Sequence, residues 1–572
     1  MRRSDPAPIV RVRPSVKNSS LPTVASIVAT ALSSFVPIVS AQQQPDAGST
    51  LQQQRPAPQP PRARSPLNVQ TPAVAPTAAG GPKVTVSSIR ISGNSFISEA
   101  ELLRALGDFA GKAYDLAGLR DLVEKITKHY RDAGYPFARA FLPQQAGMEG
   151  LLRIEVVEGR FGKVQALGDE DLVAAGTQFL AALKPGSVIS GKLLERTTLI
   201  LDDQPGIKIS PIIRPGRELG TGDLDVRIER KPGFSGDMGL DNHGNRFTGE
   251  HRLRANFQWD SPFTFGDQAS IRLLHADGLS LGSLSYSLPL GATGLRGNAG
   301  YSQTYYELGK DYVSLGARGS AKVSSLGITF PVIRSQKANL NLAVTFQEKR
   351  LDDRQLSSAG DGAKRSDSLP ITLAFDRRDG LWGGGVTYGS LGVTPGALQL
   401  SADLQSTDQT SGQNTRGKFS KWNLDIARVQ ATPLAGLVGS VRVSTQWAPK
   451  NLDSSEAFSL GGANGVRAFP VGEGNGDVGW LAQVEIRYAM GPYIPYLFHD
   501  SGRVNLNAKN SSLASPASPN NRAIAGGGIG LRYSKDRLSV DSTVAWASLG
   551  GQAQSDTAER TPRLWVSVGT SF

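Results

Sequence analysis

The chain contains no cysteine in its 572 residues. That excludes disulfides, thiolate metal centres and cysteine nucleophiles, and it suits an oxidising compartment where stray thiols would mispair. Histidine is scarce as well. The five, at 129, 243, 251, 275 and 499, include no i, i+4 pair, so no metal site is expected. His499 beside Asp500 invites a proton relay, but alternation along a strand turns neighbouring side chains to opposite faces, which points His499 outward. A phosphate-cradling glycine loop and a nucleophile elbow are also missing, so no catalytic residue, no enzyme and no cofactor are expected. The net charge of +12 fits nucleic acid, anionic lipid or an acidic partner. Without a basic block interleaved with aromatics, nucleic acid is set aside.

What is present begins with an export signal. Arg2, Arg3, Arg11, Arg13 and Lys17 precede an apolar run that closes with Val39 and Ala41 at small-residue cleavage positions, so residues 1–41 read as a signal peptide. Pro37 and polar residues break the run, which makes it a poor permanent span. Residues 42–82 are rich in Gln, Pro and Ala with almost no large apolar side chains, and read as a tether. Only a brief stretch near Ser49 to Gln54 is free enough of proline to be helical.

Two small modules follow. From Lys83, "KVTVSSIRISGN" alternates as a strand, and Ser98 with Glu101 forms a capping box that opens a helix. A second helix places Leu119, Leu122, Val123, Ile126 and Tyr130 on one face and stops at Gly134. "FARAFLPQQ" and "LLRIEVVEG" then read as strands. The same strand, helix, helix, strand, strand order returns from Gly159, with its second helix ended by Pro205 and Gly206, giving tandem α/β modules over 83–158 and 159–230. An exposed strand edge on such a module could accept an extended peptide.

Helical periodicity then vanishes. His251, Leu253, Ala255, Phe257 and Trp259 alternate with charged and amide residues, and Trp480, Ala482, Val484, Ile486 and Tyr488 alternate with Gln483, Glu485 and Arg487. Leu538, Val540, Val544 and Trp546 mark the next-to-last strand, and Leu564, Val566, Val568, Thr570 and Phe572 the last. A polar face, an apolar face and aromatic ends are the pattern of outer-membrane strands, and only a closed barrel satisfies every backbone group of a sheet in lipid. Residues 231–572 provide about 16 such strands at about 20 residues per strand and connection. The fold class is mostly β: a transmembrane antiparallel β-barrel preceded by two small α/β modules.

The stretch Leu460 to Asp500 holds one arginine in an apolar setting, Val466, Arg467, Ala468, Phe469, beside the flexible "GEGNGD". A guanidinium among glycines suits a loop tip that seeks a carboxylate. Glu485, facing the same side as Gln483, is one candidate.

Several texts together resemble the two-partner secretion transporters, the ShlB/FhaC/HecB haemolysin secretion/activation family, also called TpsB, with POTRA domains as the small modules. They are "YRDAGYPFARAFLPQQ", "RIEVVEGRFGKV", "LDDQPGIKISPIIRPG", "LDNHGNRFTGEHRL", "SPFTFGDQ", "YELGKD" and "EAFSLGGANGVRAFPVGEGNGDVGW". The resemblance implies an outer-membrane pore of a Gram-negative bacterium. Its POTRA domains lie in the periplasm, and it exports a large haemolysin- or adhesin-like exoprotein with an N-terminal secretion domain. It acts as a monomer among outer-membrane lipid. It also implies that the sixth extracellular loop folds into the barrel, so that Arg467 meets the acid of a wall motif read here as Phe498, His499, Asp500. Ala468 stands where the family has glycine, and a positive φ there would be costly for alanine. A plug helix is implied before the first POTRA domain. A barrel-assembly factor and a passive porin remain as alternatives.

Overall fold

The computed structural model describes residues 44–54, 80–145, 150–356 and 362–572, so the signal peptide and most of the tether lie outside the described residues. Among the described residues the chain carries a short N-terminal helix, two small α/β modules and a barrel, with a further short helix, Ala402–Thr410, in a barrel connection.

The first module comprises β1 (Val84–Val86), β2 (Ser88–Ser92), β3 (Lys112–Tyr114), β4 (Arg139–Phe141) and β5 (Leu151–Val157), with two helices, Glu99–Leu106 and Leu116–Asp132. β2 pairs parallel with β5, and β4 joins β5 antiparallel. Ser98 caps the first helix by accepting from Glu101 N at 3.3 Å. The reciprocal half of the expected capping box is absent, because the Glu101 carboxylate reaches His129 at 3.2 Å instead. Leu119, Leu122, Val123, Ile126 and Tyr130 form the buried stripe of the second helix, and Gly134 ends it at φ +96°.

The second module repeats the plan with β6 (Arg160–Leu167), β7 (Ile207–Pro215) and β8 (Thr221–Arg230), and with helices Glu170–Leu180 and Gly191–Asp202. β6 and β8 are parallel, β7 and β8 antiparallel. It is held against the periplasmic turns of the barrel. Arg334 makes a bidentate pair with Asp203 at 2.5 Å per bond, Arg196 donates to the Pro331 carbonyl at 2.7 Å, and Ser261 donates to the Pro205 carbonyl at 2.8 Å.

The barrel runs antiparallel from β9 (Phe234–Asp241) through β10 (Arg252–Asp260), β11 (Gln268–Ala276), β12 (Leu279–Pro289), β13 (Arg296–Glu307), β14 (Arg318–Arg334) and β15 (Ala338–Arg354). It continues with β16 (Gly362–Ser368), β17 (Ile371–Asp379), β18 (Gly385–Leu400), β19 (Gly417–Ala431) and β20 (Leu437–Trp447). A two-residue pair inside a loop, β21 (Phe458–Ser459) and β22 (Asn475–Gly476), precedes β23 (Val478–Tyr488), β24 (Tyr493–Asn505), β25 (Asn521–Lys535), β26 (Leu538–Leu549) and β27 (Arg563–Ser571). β16 and β17 are the two halves of one stave, interrupted at Leu369 and Pro370, since both lie between β15 and β18. The barrel therefore has sixteen staves and closes between β27 and β9, where Phe572 and Gly236 exchange backbone bonds of 3.0 and 3.1 Å.

Alternation decides which face is wet. Leu253, Trp259, Leu326, Phe346, Val484, Ile486 and Leu564 are exposed on the outside, while Arg252, Arg272, Glu485 and Asp500 point in. Exposed Trp422, Trp447, Trp480 and Trp546 ring the extracellular end, and Phe234, Trp259, Tyr488 and Tyr493 the periplasmic end. These are the interfacial belts of a membrane barrel. Among the described residues no helix is long and apolar enough to cross a membrane.

Within residues 42–82, read as a tether, Ala47–Gln53 form a helix, α1, that overlaps the proline-free stretch near Ser49 to Gln54 and sits inside the barrel. Asp46 accepts from Ser49 N at 2.8 Å and Ser49 answers the Asp46 N at 3.0 Å, a capping box local enough to be written in sequence. The burial that makes so short a helix stable comes from the lumen, which composition alone does not reveal.

Candidate functional site in the barrel lumen

The loop between β20 and β23 is the sixth extracellular connection and runs back into the barrel. Its fold is local. Val466 N donates to the Leu460 carbonyl at 2.7 Å, Gly462 N to the Phe469 carbonyl at 3.1 Å, and Phe469 N to the Val466 carbonyl at 3.0 Å. The last bond closes a tight turn over Val466, Arg467, Ala468 and Phe469. Ala468 is absent from the residues with positive φ, so the turn has no need of glycine there. Its methyl instead lies against Gly526 of β25, where an added Cβ would overlap it.

That turn delivers Arg467 to the inner wall. The guanidinium makes a bidentate pair with Asp500, 2.8 Å through Nε and 2.9 Å through Nη2, and the Arg467 backbone N adds a third bond at 3.1 Å. Nη1 reaches Glu485 at 3.2 Å. The two candidate acids of the wall thus both bind it. Phe498, inward like Asp500, has its ring centroid 3.5 Å from the guanidinium carbon, a desolvated cation–π contact. Trp565 of the last strand donates from Nε1 to the Arg467 carbonyl at 2.7 Å. Asp500 is fully buried and Arg467 is 7% exposed. Val466 and Phe469 pack with Leu460, Leu481, Tyr496 and Phe498 into one apolar cluster around the pair. His499 is exposed on the outer face.

Such a pair contributes little net stability, because desolvation offsets attraction, but losing either partner is costly. It fixes position. Glu485 extends the network, accepting from Arg532 at 2.6 and 3.1 Å, and Arg532 continues to Asp541 at 2.9 Å.

Several contributors were not read from sequence. Glu473, fully buried, is a second anchor: Arg522 donates to it at 2.8 Å, and Gln554 N and Ser555 N each at 2.8 Å. Lys349 and Lys421 both clasp Glu456 at the start of the loop, Lys421 at 2.8 Å. Gly526, Gly528 and Gly530 alternate along the inner face of β25, leaving room for Ala468, Phe498 and Tyr496. The alternate glycines in "AGGGIG" were the one legible signal of that close approach.

Helix α1 lies beside this loop. Ser454 Oγ donates to Asp46 at 2.5 Å, Gln52 donates to the Ser455 carbonyl, and Lys364 joins Asp46 at 3.2 Å and Asp453 at 3.0 Å. Ala47 N donates to Asp353 at 2.8 Å. Loop and helix therefore lie in the lumen together and touch each other directly. No cluster of potential metal ligands occurs among the described residues.

Comparison with known proteins agrees with this architecture. Residues 220–533 match the haemolysin secretion/activation protein family ShlB/FhaC/HecB, and residues 84–159 match the ShlB-type POTRA domain. The heme/hemopexin transporter protein HuxB of Haemophilus influenzae strain 86-028NP is 26% identical over 77% of this chain and 79% of its own length. The outer membrane transporter CdiB of Dickeya dadantii is 24% identical over 86% and 87%. The hemolysin transporter protein ShlB of Serratia marcescens is 25% identical over 81% and 82%. Among solved structures, CdiB from Escherichia coli superposes with a TM-score of 0.70 at 19% identity, covering 97% of this chain and all of that one, a likeness of fold.

Proposed function

The chain belongs to the haemolysin secretion/activation family ShlB/FhaC/HecB and is an outer-membrane translocation pore of the two-partner type, and we propose that it exports one large partner exoprotein through its own lumen. The observation that carries this reading is a closed sixteen-stave barrel whose lumen holds two elements, α1 and the Arg467 loop, with two small modules at its periplasmic mouth. A passive pore has no use for such modules.

In this reading the unfolded exoprotein is recruited by its N-terminal secretion domain. An extended segment pairs with a module edge; β4 and β7 each bond on one side only among the described residues. The incoming chain then shifts the populations of the plugged and open states, with Arg467, Asp500 and Glu485 as the latch that opens. One chain closes the whole barrel, so a single copy among outer-membrane lipid suffices.

The test is secretion in cells that carry the partner gene. Depletion of this chain should abolish surface delivery of one exoprotein and leave other outer-membrane proteins at normal levels. General loss of outer-membrane proteins would overturn export in favour of barrel assembly. Wild-type secretion by both Arg467→Ala and Asp500→Ala would overturn the latch.

A further inference from the structure

Helix α1 is held in the lumen by cations at both ends. At its start the Asp46 carboxylate meets Lys364. At its end the Gln54 carbonyl accepts from Arg272 Nη2 at 3.1 Å, and the Gln54 side-chain oxygen lies 3.5 Å from Arg252 Nη1. The carbonyls that end a helix carry partial negative charge, so the arginines meet a weak anion.

The arginines are richer in charge than their surroundings require. Arg252 and Arg254 lie two residues apart on the inner face of β10, and Arg272 lies opposite Asn256 on β11, so all three project into the lumen. Asp241 is the carboxylate that pairs with Arg252 and Arg254 among the described residues. Arg252 binds it at 2.7 and 3.2 Å, and Arg254 approaches to 3.5 Å with its Nε buried and lacking a hydrogen bond. The tether supplies no other acid, because between Gln42 and Pro82 the one acidic residue is Asp46, at the far end of α1. Toward the periplasmic mouth the same wall holds a cavity of about 400 Å³ lined by Asp237, Asn256, Gln258, Ser270 and Ser283, with Arg272 among its lining. The Asp237 carboxylate is engaged by Asn256 at 2.9 Å, and the remaining hydroxyls and amides of the lining suit an extended polypeptide.

We propose that Arg252, Arg254 and Arg272 form a binding site for the carboxylates of an extended acidic segment of the exported chain, which the carboxyl end of α1 occupies as a tethered stand-in. The proposal rests on the export reading above. A neutral carbonyl satisfies the hydrogen bonds of a guanidinium but not its charge, whereas a carboxylate does both and binds more strongly. An aspartate or glutamate entering from the periplasmic cavity therefore outcompetes Gln54, and releasing that end of α1 loosens its contacts with the loop at Ser454 and Ser455.

The test uses the purified chain in planar bilayers, with peptides of alternating Asp and Gly, or Asn and Gly, added from the periplasmic side. In a chain lacking residues 47–53, the Asp peptide should block current at about tenfold lower concentration than the Asn peptide, the scale of one charge-assisted bond pair. Adding Arg272→Gln should erase that preference. Should the deletion fail to form barrels, Asp46→Ala, which frees the other end of α1, serves for the same comparison. Equal block by the two peptides, or a preference that survives Arg272→Gln, overturns the arginine site and leaves export untouched. A cell that carries the partner gene and secretes nothing overturns export, while the peptide preference stands by itself.

Discussion

Asp500→Asn keeps the shape of the wall residue and removes its charge. Arg467 gives Asp500 three bonds, at 2.8, 2.9 and 3.1 Å, all buried. Removing one partner of a buried ion pair costs about 3–5 kcal/mol. Glu485 at 3.2 Å retains some compensation, although it is shared with Arg532, so the lower end of the range, about 3 kcal/mol, is expected. At about 1.4 kcal/mol per tenfold, the released loop becomes about a hundredfold more populated. Because the chain has no cysteine, the assay needs no background changes. Val466→Cys places one thiol at a fully buried position of the tip, and a membrane-impermeant maleimide can reach it only when the loop leaves the lumen. Where opening is fast relative to labelling, the rate follows the open population. The Glu473–Arg522 anchor and the Trp565 bond are unchanged, so the barrel should still close. A labelling rate within about threefold of the parent would refute the idea that this pair holds the loop.

The same assay addresses Ala468. Ala468→Gly should cost about 1 kcal/mol or less, since the turn needs no positive φ, whereas Ala468→Val should overpack against Gly526 by about 1–3 kcal/mol and speed labelling. Asp46→Ala removes the helix cap, worth about 1 kcal/mol, together with the bonds to Ser454 and Lys364, and should raise single-channel current through the purified barrel. In the first module, burial alone would push the Glu158 carboxyl up, but bonds from the Ser95 hydroxyl, Phe96 N, Ser95 N and Tyr130 outweigh it and hold Glu158 below the usual carboxylate range. A depressed carboxylate stabilises the fold above its unfolded pKa and loses that contribution as pH falls through the folded value. Hydrogen-exchange protection of residues 84–157, taken relative to the intrinsic rate at each pH, should therefore fall in acid, and Glu158→Gln should lower protection at neutral pH with less further change on acidification.

Periodicity is local, and what periodicity encodes was legible. The alternation from Leu253 to Trp259 and from Trp480 to Tyr488 told which face meets lipid, because side chains of a strand point alternately whatever their partners are. The helical stripe from Leu119 to Tyr130 and the Ser98 cap were legible for the same reason, each being settled within a few residues. The carboxylate of Glu101 was not, since its choice of His129 depends on how two helices pack.

The sequence by itself determined a barrel of alternating strands, two repeated α/β modules before it, and a single arginine at the tip of a glycine-rich loop with two acids on one face of nearby strands. Only the tertiary structure decided that Arg467 takes both Asp500 and Glu485, that Glu473 anchors the loop a second time, and that Ala468 rests on Gly526. It also turned part of a proline-rich tether into a helix within the lumen, with its ends against Lys364 and Arg272. The division has one physical cause. A strand's two faces are fixed by its own backbone, whereas which charge meets which across a lumen depends on curvature and closure that no single stave contains.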